Sequence, residues 1–171
     1  MTAHVTIKEK IDKGVKILNE KKNSCLIYIV DDQPLNLDLV SIFLNNQGFN
    51  ILTETDITKA IPEIGRICPD LILLDVLMPI LNGFDACYLL KSSPKTKDIP
   101  IIFLTASQEE HHLIQAYKLG ASDYVTKPFK KPELLIRVAT QLILKNQTKR
   151  ILELTEEIKI LKNAKNSKKN D

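Results

Sequence analysis

Five short apolar runs, each followed by a longer segment with helical spacing, constrain the fold of this chain more than any other feature. The runs are continuous rather than alternating, which is typical of strands buried on both faces of a sheet. Strands that alternate with helices form βα units, whose right-handed crossovers make the strands parallel. The sequence therefore predicts an α/β fold with a five-stranded parallel sheet between two layers of helices. The predicted strands are 25–30, 49–53, 71–74, 99–104 and 122–125.

Glycine and proline residues mark the limits of the predicted helices. Gly48 follows the first helical stretch, 35–47, and Gly120 follows the stretch that begins near Ser107. Glycine is favoured just after a helix because it adopts the left-handed backbone conformation without a steric penalty. Pro62 falls within the second helical stretch. That helix is therefore expected to start late or to be distorted.

Composition indicates one globular domain with flanking sequence. A hydrophobic fraction of 44% in 171 residues supports a core, whereas 5% aromatic residues and no Trp leave few platforms for stacking bases. Cys25, Cys68 and Cys87 lie among apolar neighbours, and we interpret them as reduced core residues of a cytosolic protein. The N-terminus has no apolar segment of the kind found in signal peptides, and no run approaches a membrane span. The expected localisation is cytoplasmic.

Two basic extensions flank the predicted domain, which we place at 25–144. Residues 1–24 carry apolar side chains at steps of four, four and three, which predicts a short amphipathic helix; they are Ile7, Ile11, Val15 and Leu18. The extensions together carry a net charge of +7 and the domain −4. Such charge could contact nucleic acid or an anionic membrane, but a solvated helix surface is the preferred interpretation.

The extension 145–171 continues the last helix in a heptad pattern. Leu144, Ile151 and Ile158 are seven residues apart, and so are Leu154 and Leu161, each of which lies three positions after an isoleucine. Together they form about two and a half heptads. This is shorter than a secure coiled coil. It nevertheless suggests a homodimer through the C-terminal helix, followed by a disordered tail after residue 163.

Charged and hydroxyl residues come directly after four of the five predicted strands. Asp31 and Asp32 follow the first strand, Asp75 the third, Thr105 the fourth and Lys127 the fifth. In a doubly wound sheet, functional groups gather outside the carboxyl ends of the strands. Each residue alone is more often a helix cap or a solvated side chain. Together they predict three carboxylates, a hydroxyl and an amine at one edge of the sheet.

These groups suit magnesium-dependent phosphoryl transfer. Clustered carboxylates repel one another unless a cation lies among them, and oxygen ligands alone favour a hard ion such as Mg²⁺. Lys127 can pair with a phosphate oxygen, and Thr105 can donate a hydroxyl hydrogen bond. A carboxylate can also attack phosphorus directly. We therefore expect a metal-assisted site at which an aspartate accepts a phosphoryl group.

Four segments of the chain resemble the signature motifs of two-component response regulator receiver domains. The motif aspartates, threonine and lysine are separated by 44, 30 and 22 residues, which also matches the family; the segments are VDDQPLN (30–36), DVLMPILNG (75–83), FLTAS (103–107) and DYVTKPF (123–129). The resemblance covers about 25–144. It implies a flavodoxin-like, doubly wound α/β fold with strand order 2-1-3-4-5. It also implies a signalling phosphoacceptor, not a conventional enzyme, that is phosphorylated by a histidine kinase or phosphotransfer protein.

The resemblance assigns the acidic residues to the phosphoacceptor and its metal site. Asp75 is the implied phosphoacceptor. Asp32 and Asp75 would bind Mg²⁺ directly, Asp31 mostly through water, and the backbone carbonyl of Leu77 would complete the set. Because the Leu77 side chain has no polar group to assist an attacking water, we hypothesise slow self-dephosphorylation.

The remaining implied roles belong to the switch. Thr105 would move to bind the phosphoryl oxygens and Tyr124 would turn inward with it. Lys127 would pair with the phosphate, and its bond to Pro128 would be cis, as X-Pro bonds permit at modest cost. The change would appear on the face formed by the fourth helix, fifth strand and fifth helix, about 107–145, and would control dimerisation or the docking of a downstream protein partner. No direct nucleic-acid contact is expected.

The sequence argues against two other classes of protein and leaves two alternatives open. An aspartate-nucleophile phosphatase would need an acid where Leu77 stands, and a nucleotide or flavin module would need a Gly-rich phosphate loop, which the five glycines do not form. A phosphorylation-independent scaffold stays open, as does the receiver fragment of a larger regulator or hybrid kinase. No histidine lies in a motif typical of a kinase, so the phosphoryl donor is expected to be a separate molecule.

Overall fold

The computed structural model describes residues 25–106 and 110–167. The predicted N-terminal helix lies outside these residues. The disordered tail predicted after residue 163 starts too early, because the last helix continues through Ser167; the rest of that tail lies outside the described residues. Strands and helices alternate along the chain in the order β1 (Leu26–Val30), α1 (Pro34–Asn45), β2 (Asn50–Glu54), α2 (Ile57–Ile67), β3 (Leu71–Asp75), α3 (Gly83–Ser92), β4 (Ile101–Thr105), α4 (Glu110–Lys118), β5 (Asp123–Thr126) and α5 (Lys131–Ser167).

The five strands form one parallel sheet in the order β2-β1-β3-β4-β5. This confirms the predicted doubly wound fold. The strand order changes direction at β1 and β3, which are neighbours: β2 lies on one side of β1, and β3, β4 and β5 follow on the other. The carboxyl ends of these two strands therefore border the crevice in which such sheets bind ligands. Register aligns Asp75 with Leu104 of β4 and Thr105 with Thr126 of β5.

Helices cover both faces of the sheet, which gives the expected three layers. On one face Ile29, Leu73 and Leu104 pack against α1 and α5. On the other face Tyr28 and Phe103 pack against α2, α3 and α4. Alternate residues of each central strand thus enter opposite cores, and this double burial explains the continuous apolar runs.

The edge strand β2 departs from the expectation of burial on both faces. Only Ile51 of its residues packs against a core, and Leu52 faces solvent. The prediction was made from an apolar run, but an edge strand is covered less completely than a central one. The three central strands β1, β3 and β4 do follow the prediction, since nearly every residue in them is buried.

Turn residues at the helix ends behave largely as predicted, with one exception in α2. Gly48 and Gly120 adopt positive φ angles of 83° and 87°. The helix α2 begins at Ile57, where the side chain of Asp56 accepts a hydrogen bond from the backbone N–H of Thr58, and it continues through Pro62. The expected late start is therefore wrong. The helix starts five residues before Pro62, at the cap formed by Asp56. Pro62 removes one internal hydrogen bond and crowds the preceding turn, but the helix continues to Ile67.

The last helix, α5, extends well beyond the domain. Leu134, Val138 and Leu142 are buried against the sheet, whereas every side chain from 147 to 163 is exposed. At 1.5 Å per residue, the exposed part of the helix projects by roughly 30 Å. Its apolar residues therefore have no partner among the described residues.

The three cysteines are free, but they do not share one environment. Cys25 and Cys87 are buried as expected. Cys68 is exposed, contrary to the prediction, because it caps the end of α2 in a left-handed conformation with φ of 53°. Among the described helices, none combines the length and the apolar character needed to span a membrane.

Candidate functional site

Three aspartates meet at the carboxyl edge of the sheet. Asp31 and Asp32 follow β1, Asp75 ends β3, and their carboxylate oxygens lie within 4.8 Å of one another. Asp31 and Asp75 are buried, whereas Asp32 is partly exposed. Adjacent parallel strands bring these residues together, as their positions after the first and third apolar runs predicted.

Lys127 reaches this cluster from the end of β5. Its Nζ lies 2.8 Å from Oδ2 of Asp31 and 2.8 Å from Oδ1 of Asp75. Its backbone N–H donates to the carbonyl of Thr105 at 2.7 Å, and the bond to Pro128 is cis, as the resemblance implied. Among the described residues, Lys127 supplies the one ammonium that pairs with these carboxylates, so the described part of the site keeps an excess of negative charge.

The side chain of Asp31 is held by two neighbours for which sequence reasoning proposed no role. The Nδ2 of Asn36 donates to both carboxylate oxygens at 2.9 and 3.0 Å, and the backbone N–H of Gln33 donates to Oδ1 at 3.0 Å. Asn36 lies in the first turn of α1, five residues after Asp31. Its place inside the VDDQPLN motif was the available signal.

Gly83 is a second residue that sequence reasoning left without a role. It begins α3, and its N–H donates to the carbonyl of Val76 at 2.9 Å. A Cβ atom at this position would lie far inside contact distance of the Asp75 carbonyl oxygen and 2.8 Å from Cα of Val76. Only glycine lets α3 start this close to the backbone of Asp75.

Thr105 ends β4 beside the cluster and is buried. Tyr124, the other predicted switch residue, pairs with Phe103 in the β4–β5 register, two residues before Thr105. Its ring packs edge-on to Tyr117 at 6.4 Å, and the guanidinium of Arg137 lies 5.2 Å from its centroid. Tyr124 is therefore half-buried in a small cluster rather than exposed on the surface of its strand.

Burial and neighbouring charges shift the pKa values of Asp75 and Lys127. Burial raises the pKa of the Asp75 carboxyl; the Lys127 ammonium opposes this rise, whereas Asp31 and Asp32 add to it. Burial alone would lower the pKa of Lys127, but its hydrogen bonds and attraction to Asp31 and Asp75 raise it instead. Lys127 therefore stays protonated at neutral pH while the Asp75 carboxylate is held at a cost.

The donor set fits a hard divalent cation. The group consists only of carboxylate oxygens close enough to share one ion. Mg²⁺ prefers such ligands and commonly uses one or two carboxylates together with waters. A cation would also relieve the repulsion that one ammonium leaves uncompensated. Asp31, Asp32 and Asp75 are the residues that would hold it.

A five-stranded parallel sheet with this acidic edge and an opposing lysine defines a receiver domain of two-component signalling. The chain belongs to this family, since residues 27–139 match the family model described as "Response regulator receiver domain".

Curated relatives extend the comparison. The chain is 38% identical over 135 residues to the DNA-binding dual master transcriptional regulator RpaA of Synechocystis sp., covering 79% of this chain and 55% of that protein. It is 44% identical over 116 residues to the regulatory protein VanRc of Enterococcus gallinarum, covering 68% and 49%. The chain thus spans about half the length of the curated relatives it matches.

Solved structures agree with this assignment over most of their own length. A putative response regulator from Chloroflexus aurantiacus superposes with a TM-score of 0.67 at 31% identity, covering 69% of this chain and 97% of that one. The chemotaxis protein CheY4 of Vibrio cholerae gives 0.64 at 26%, covering 67% and 95%. The receiver domain of sensor histidine kinase PA1611 from Pseudomonas aeruginosa, solved with a magnesium ion coordinated in its active site cleft, gives 0.63 at 29%, covering 70% and 97%.

Proposed function

We propose that the chain accepts a phosphoryl group on Asp75 in a Mg²⁺-dependent reaction, from a histidine kinase or phosphotransfer protein. The phosphorylated state then changes the face formed by α4, β5 and α5 to control dimerisation or partner binding. The observation that carries this proposal is the buried Asp75 carboxylate, 2.8 Å from the Lys127 ammonium and beside Asp31 and Asp32. The Lys127 ammonium and a cation held by the carboxylates would offset the repulsion between anionic Asp75 and an anionic phosphoryl group.

Transfer would use the residues in separate roles. An Asp75 carboxylate oxygen attacks the phosphorus of the donor, a P–O bond forms, and the donor's P–N bond breaks with its electron pair leaving on the imidazole nitrogen. Asp31, Asp32 and Asp75 would hold Mg²⁺, which would supply positive charge to offset that of the phosphoryl group. Lys127 pairs with a phosphoryl oxygen, Thr105 donates its hydroxyl to another, and Asn36 keeps Asp31 oriented.

The surface around the acidic cluster suits a protein donor. Leu35 in the first turn of α1, and Leu77 and Ile80 in the loop after β3, are largely exposed although apolar. All three belong to segments at the carboxyl edge of the sheet, where Asp75 lies. Apolar residues around a charged centre are typical of protein docking sites, which bury them on association.

The test is phosphorylation of the full chain by a small acyl phosphate, followed by intact mass spectrometry. We expect the wild type to gain one phosphoryl group with Mg²⁺ and none when EDTA removes the metal. Asp75→Asn should gain none, whereas Asp38→Asn, which changes an exposed aspartate of α1, should behave like the wild type. A chain that gains no phosphoryl group under any of these conditions would support the phosphorylation-independent scaffold instead.

Fewer observations indicate which molecules the phosphorylated chain acts on. Relatives such as RpaA bind DNA, but this chain matches only about half of their length, so that activity belongs to them. We propose that this chain works through protein contacts, including a homodimer through the exposed apolar residues of α5, without direct contact to nucleic acid. The alternative is that it is the receiver part of a larger regulator or hybrid kinase. Three free cysteines suit the reducing cytoplasm, where we place it.

A further inference from the structure

The projecting part of α5 carries an apolar seam, which consists of Leu144, Ile151, Leu154, Ile158 and Leu161. These residues are separated by seven, three, four and three positions, so they lie on one side of the helix. Their side chains are between 40% and 69% exposed. A continuous apolar surface on a projecting helix indicates a missing partner.

The polar residues of the same stretch leave this seam uncovered. Arg150 pairs with Glu153 at 3.4 Å, and Lys159 pairs with Glu156 at 3.9 Å. Both ion pairs join residues three positions apart within the helix. The charged side chains therefore bond to each other rather than fold over the apolar seam.

The chain enters the domain at the foot of this seam. The backbone N–H of Leu26 donates to Oδ2 of Asp70 at 3.0 Å. Lys145, one residue after Leu144, pairs with Oδ1 of the same carboxylate at 3.2 Å and donates to the carbonyl of Pro69 at 3.3 Å. One side chain thus joins the start of β1 to the point where α5 leaves the domain. Residue 25, to which the segment 1–24 is joined, therefore lies close to the point where α5 leaves the domain.

The apolar residues of the two segments are spaced to match when counted away from this junction. Leu18 lies seven residues before Cys25, and Ile151 lies six after Lys145. From there the N-terminal segment continues with Val15, Ile11 and Ile7 at steps of three, four and four, while the seam continues with Leu154, Ile158 and Leu161 at steps of three, four and three. Because each helical residue rises about 1.5 Å, two antiparallel helices would bring these residues opposite one another.

We propose that residues 7–18 pack as an amphipathic helix, antiparallel to α5 and along the apolar seam of the same chain. A second copy could cover the same residues, but a tethered segment has an effective concentration in the millimolar range and meets the seam first. The proposal does not depend on phosphorylation of Asp75. It makes the N-terminal segment a competitor of the second copy that the proposed homodimer would bring to the seam after activation.

Disulfide trapping in the full chain, without phosphoryl donor, tests the arrangement. Cys68 is replaced by Ser because it is exposed, whereas Cys25 and Cys87 are buried. In this background Val15→Cys with Leu154→Cys should form a disulfide within one chain at low micromolar concentration, identified by intact mass and peptide mapping. The matched control, Val15→Cys with Ile160→Cys, should stay reduced because Ile160 is exposed on the other side of the helix.

The single variant Leu154→Cys in the same background tests whether a second copy of the chain, rather than residues 7–18, covers the seam. A disulfide-linked dimer of this variant, at the concentration where the double variant is tested, would mean that a second copy covers the seam and would overturn the proposal. Failure of the double variant to link residues 15 and 154 within one chain would also overturn it.

Hydrogen exchange gives an independent measurement. The variant Ile11→Lys/Leu18→Lys should raise the amide exchange rate of 151–161 at least tenfold, because the seam loses its cover. The control Lys13→Ala/Lys16→Ala, which alters the opposite side of the predicted N-terminal helix, should exchange like the wild type. Equal exchange in the wild type and in Ile11→Lys/Leu18→Lys would show that residues 7–18 do not protect α5.

Discussion

Burial and the Lys127 ammonium shift the pKa of the Asp75 carboxyl in opposite directions. The carboxyl is removed from water beside two other carboxylates, and one ammonium compensates this only in part. The charged form of the Asp75 carboxyl is therefore held at a cost in free energy. Carboxyl groups with pKa values perturbed in this way cluster at functional sites.

This cost predicts a pH-dependent difference in stability between the wild type and Asp75→Asn. Because the pKa of Asp75 is raised in the folded state, its contribution to stability is present below the pKa of the unfolded chain and is lost as pH rises through the folded value. In EDTA at neutral pH, Asp75→Asn should therefore be more stable in urea. The difference should shrink as pH falls toward the unfolded carboxyl pKa of about 3.9. A variant less stable than the wild type at neutral pH would contradict this.

Two glycines provide a matched test of the backbone near Asp75. Gly83→Ala should destabilise the fold by about 1–3 kcal/mol, since its Cβ meets the backbone of Asp75 and Val76. Gly65→Ala, inside α2 with nothing within 4 Å of the new atom, should stabilise it by roughly 0.5–1 kcal/mol. Thermal or urea denaturation measures both, and effects of the same sign would refute the argument.

Leu77 is expected to set the lifetime of the phosphorylated state. It lies two residues after Asp75, and its exposed side chain offers no hydrogen bond to an attacking water. Leu77→Asn should shorten the half-life of phosphorylated Asp75, measured by intact mass after the acyl phosphate is removed. Leu77→Met is the control that keeps the apolar surface. A wild-type lifetime no longer than that of Leu77→Asn would contradict the hypothesis.

Sequence order was enough to predict the charged residues of the site, but not the residues that support them. Asp31, Asp75 and Lys127 stand directly after apolar runs, and parallel strands end at one edge. Asn36 and Gly83 act through the first turns of α1 and α3, where the direction of a side chain or the closeness of a backbone decides the role. Those details depend on loop geometry, which hydrophobic periodicity does not contain.

Among the elements, β5 and α5 are joined by a network around Tyr124. Arg137 of α5 pairs with Asp123 at 2.6 Å and with Glu133 at 3.2 Å, and it lies against the Tyr124 ring. Burial would lower the pKa of Arg137, but attraction to Asp123 and Glu133 raises it, so its positive charge persists at any physiological pH. The network therefore holds Tyr124 in its present position.

Weakening this network should make the proposed switch easier. Arg137→Met removes the cation from the Tyr124 ring, a contact worth about 0.5–1 kcal/mol. The chain should therefore bind Mg²⁺ and beryllofluoride, a mimic of the phosphoryl group on an aspartate, roughly two- to fivefold more tightly. Lys131→Met is the matched control, because Lys131 lies over Phe43, 5.8 Å from its centroid. Tyrosine fluorescence can follow the titration, since the chain has no Trp. An unchanged affinity of Arg137→Met for beryllofluoride would show that the position of Tyr124 is not coupled to the phosphoryl site.

Element boundaries were predictable where a single physical cause determined them. Gly48 and Gly120 end helices through positive φ angles, and the central strands were evident from their burial. Pro62 misled because a proline is tolerated inside a helix that a strong cap has already started. The exposure of β2 was missed since strand order decides which strand lies at the edge, and order came from the family resemblance rather than from periodicity.

For the whole molecule, activation should change self-association. Light scattering with Mg²⁺ and beryllofluoride is expected to show a shift from monomer to dimer. Leu154→Lys/Ile158→Lys places two charges in the seam and should remain monomeric, whereas Ile160→Lys, off the seam, should dimerise normally. A double variant that dimerises like the wild type would rule out the C-terminal helix as the interface. No shift in the wild type, with the mimic bound, would indicate a monomeric docking protein.

Asp70 and Asp75 lie at opposite ends of β3 and mark two ends of the domain, which we call the Asp70 pole and the Asp75 pole. Asp70 directly precedes the strand and Asp75 ends it, roughly 16 Å away over five residues. Both extensions leave the domain at the Asp70 pole, so a reporter or anchor joined to either one would stand on the same side. The opposite pole would stay open to an approaching kinase. A surface-tethered chain could thus be phosphorylated without being released, which makes the fold well suited to immobilised sensors.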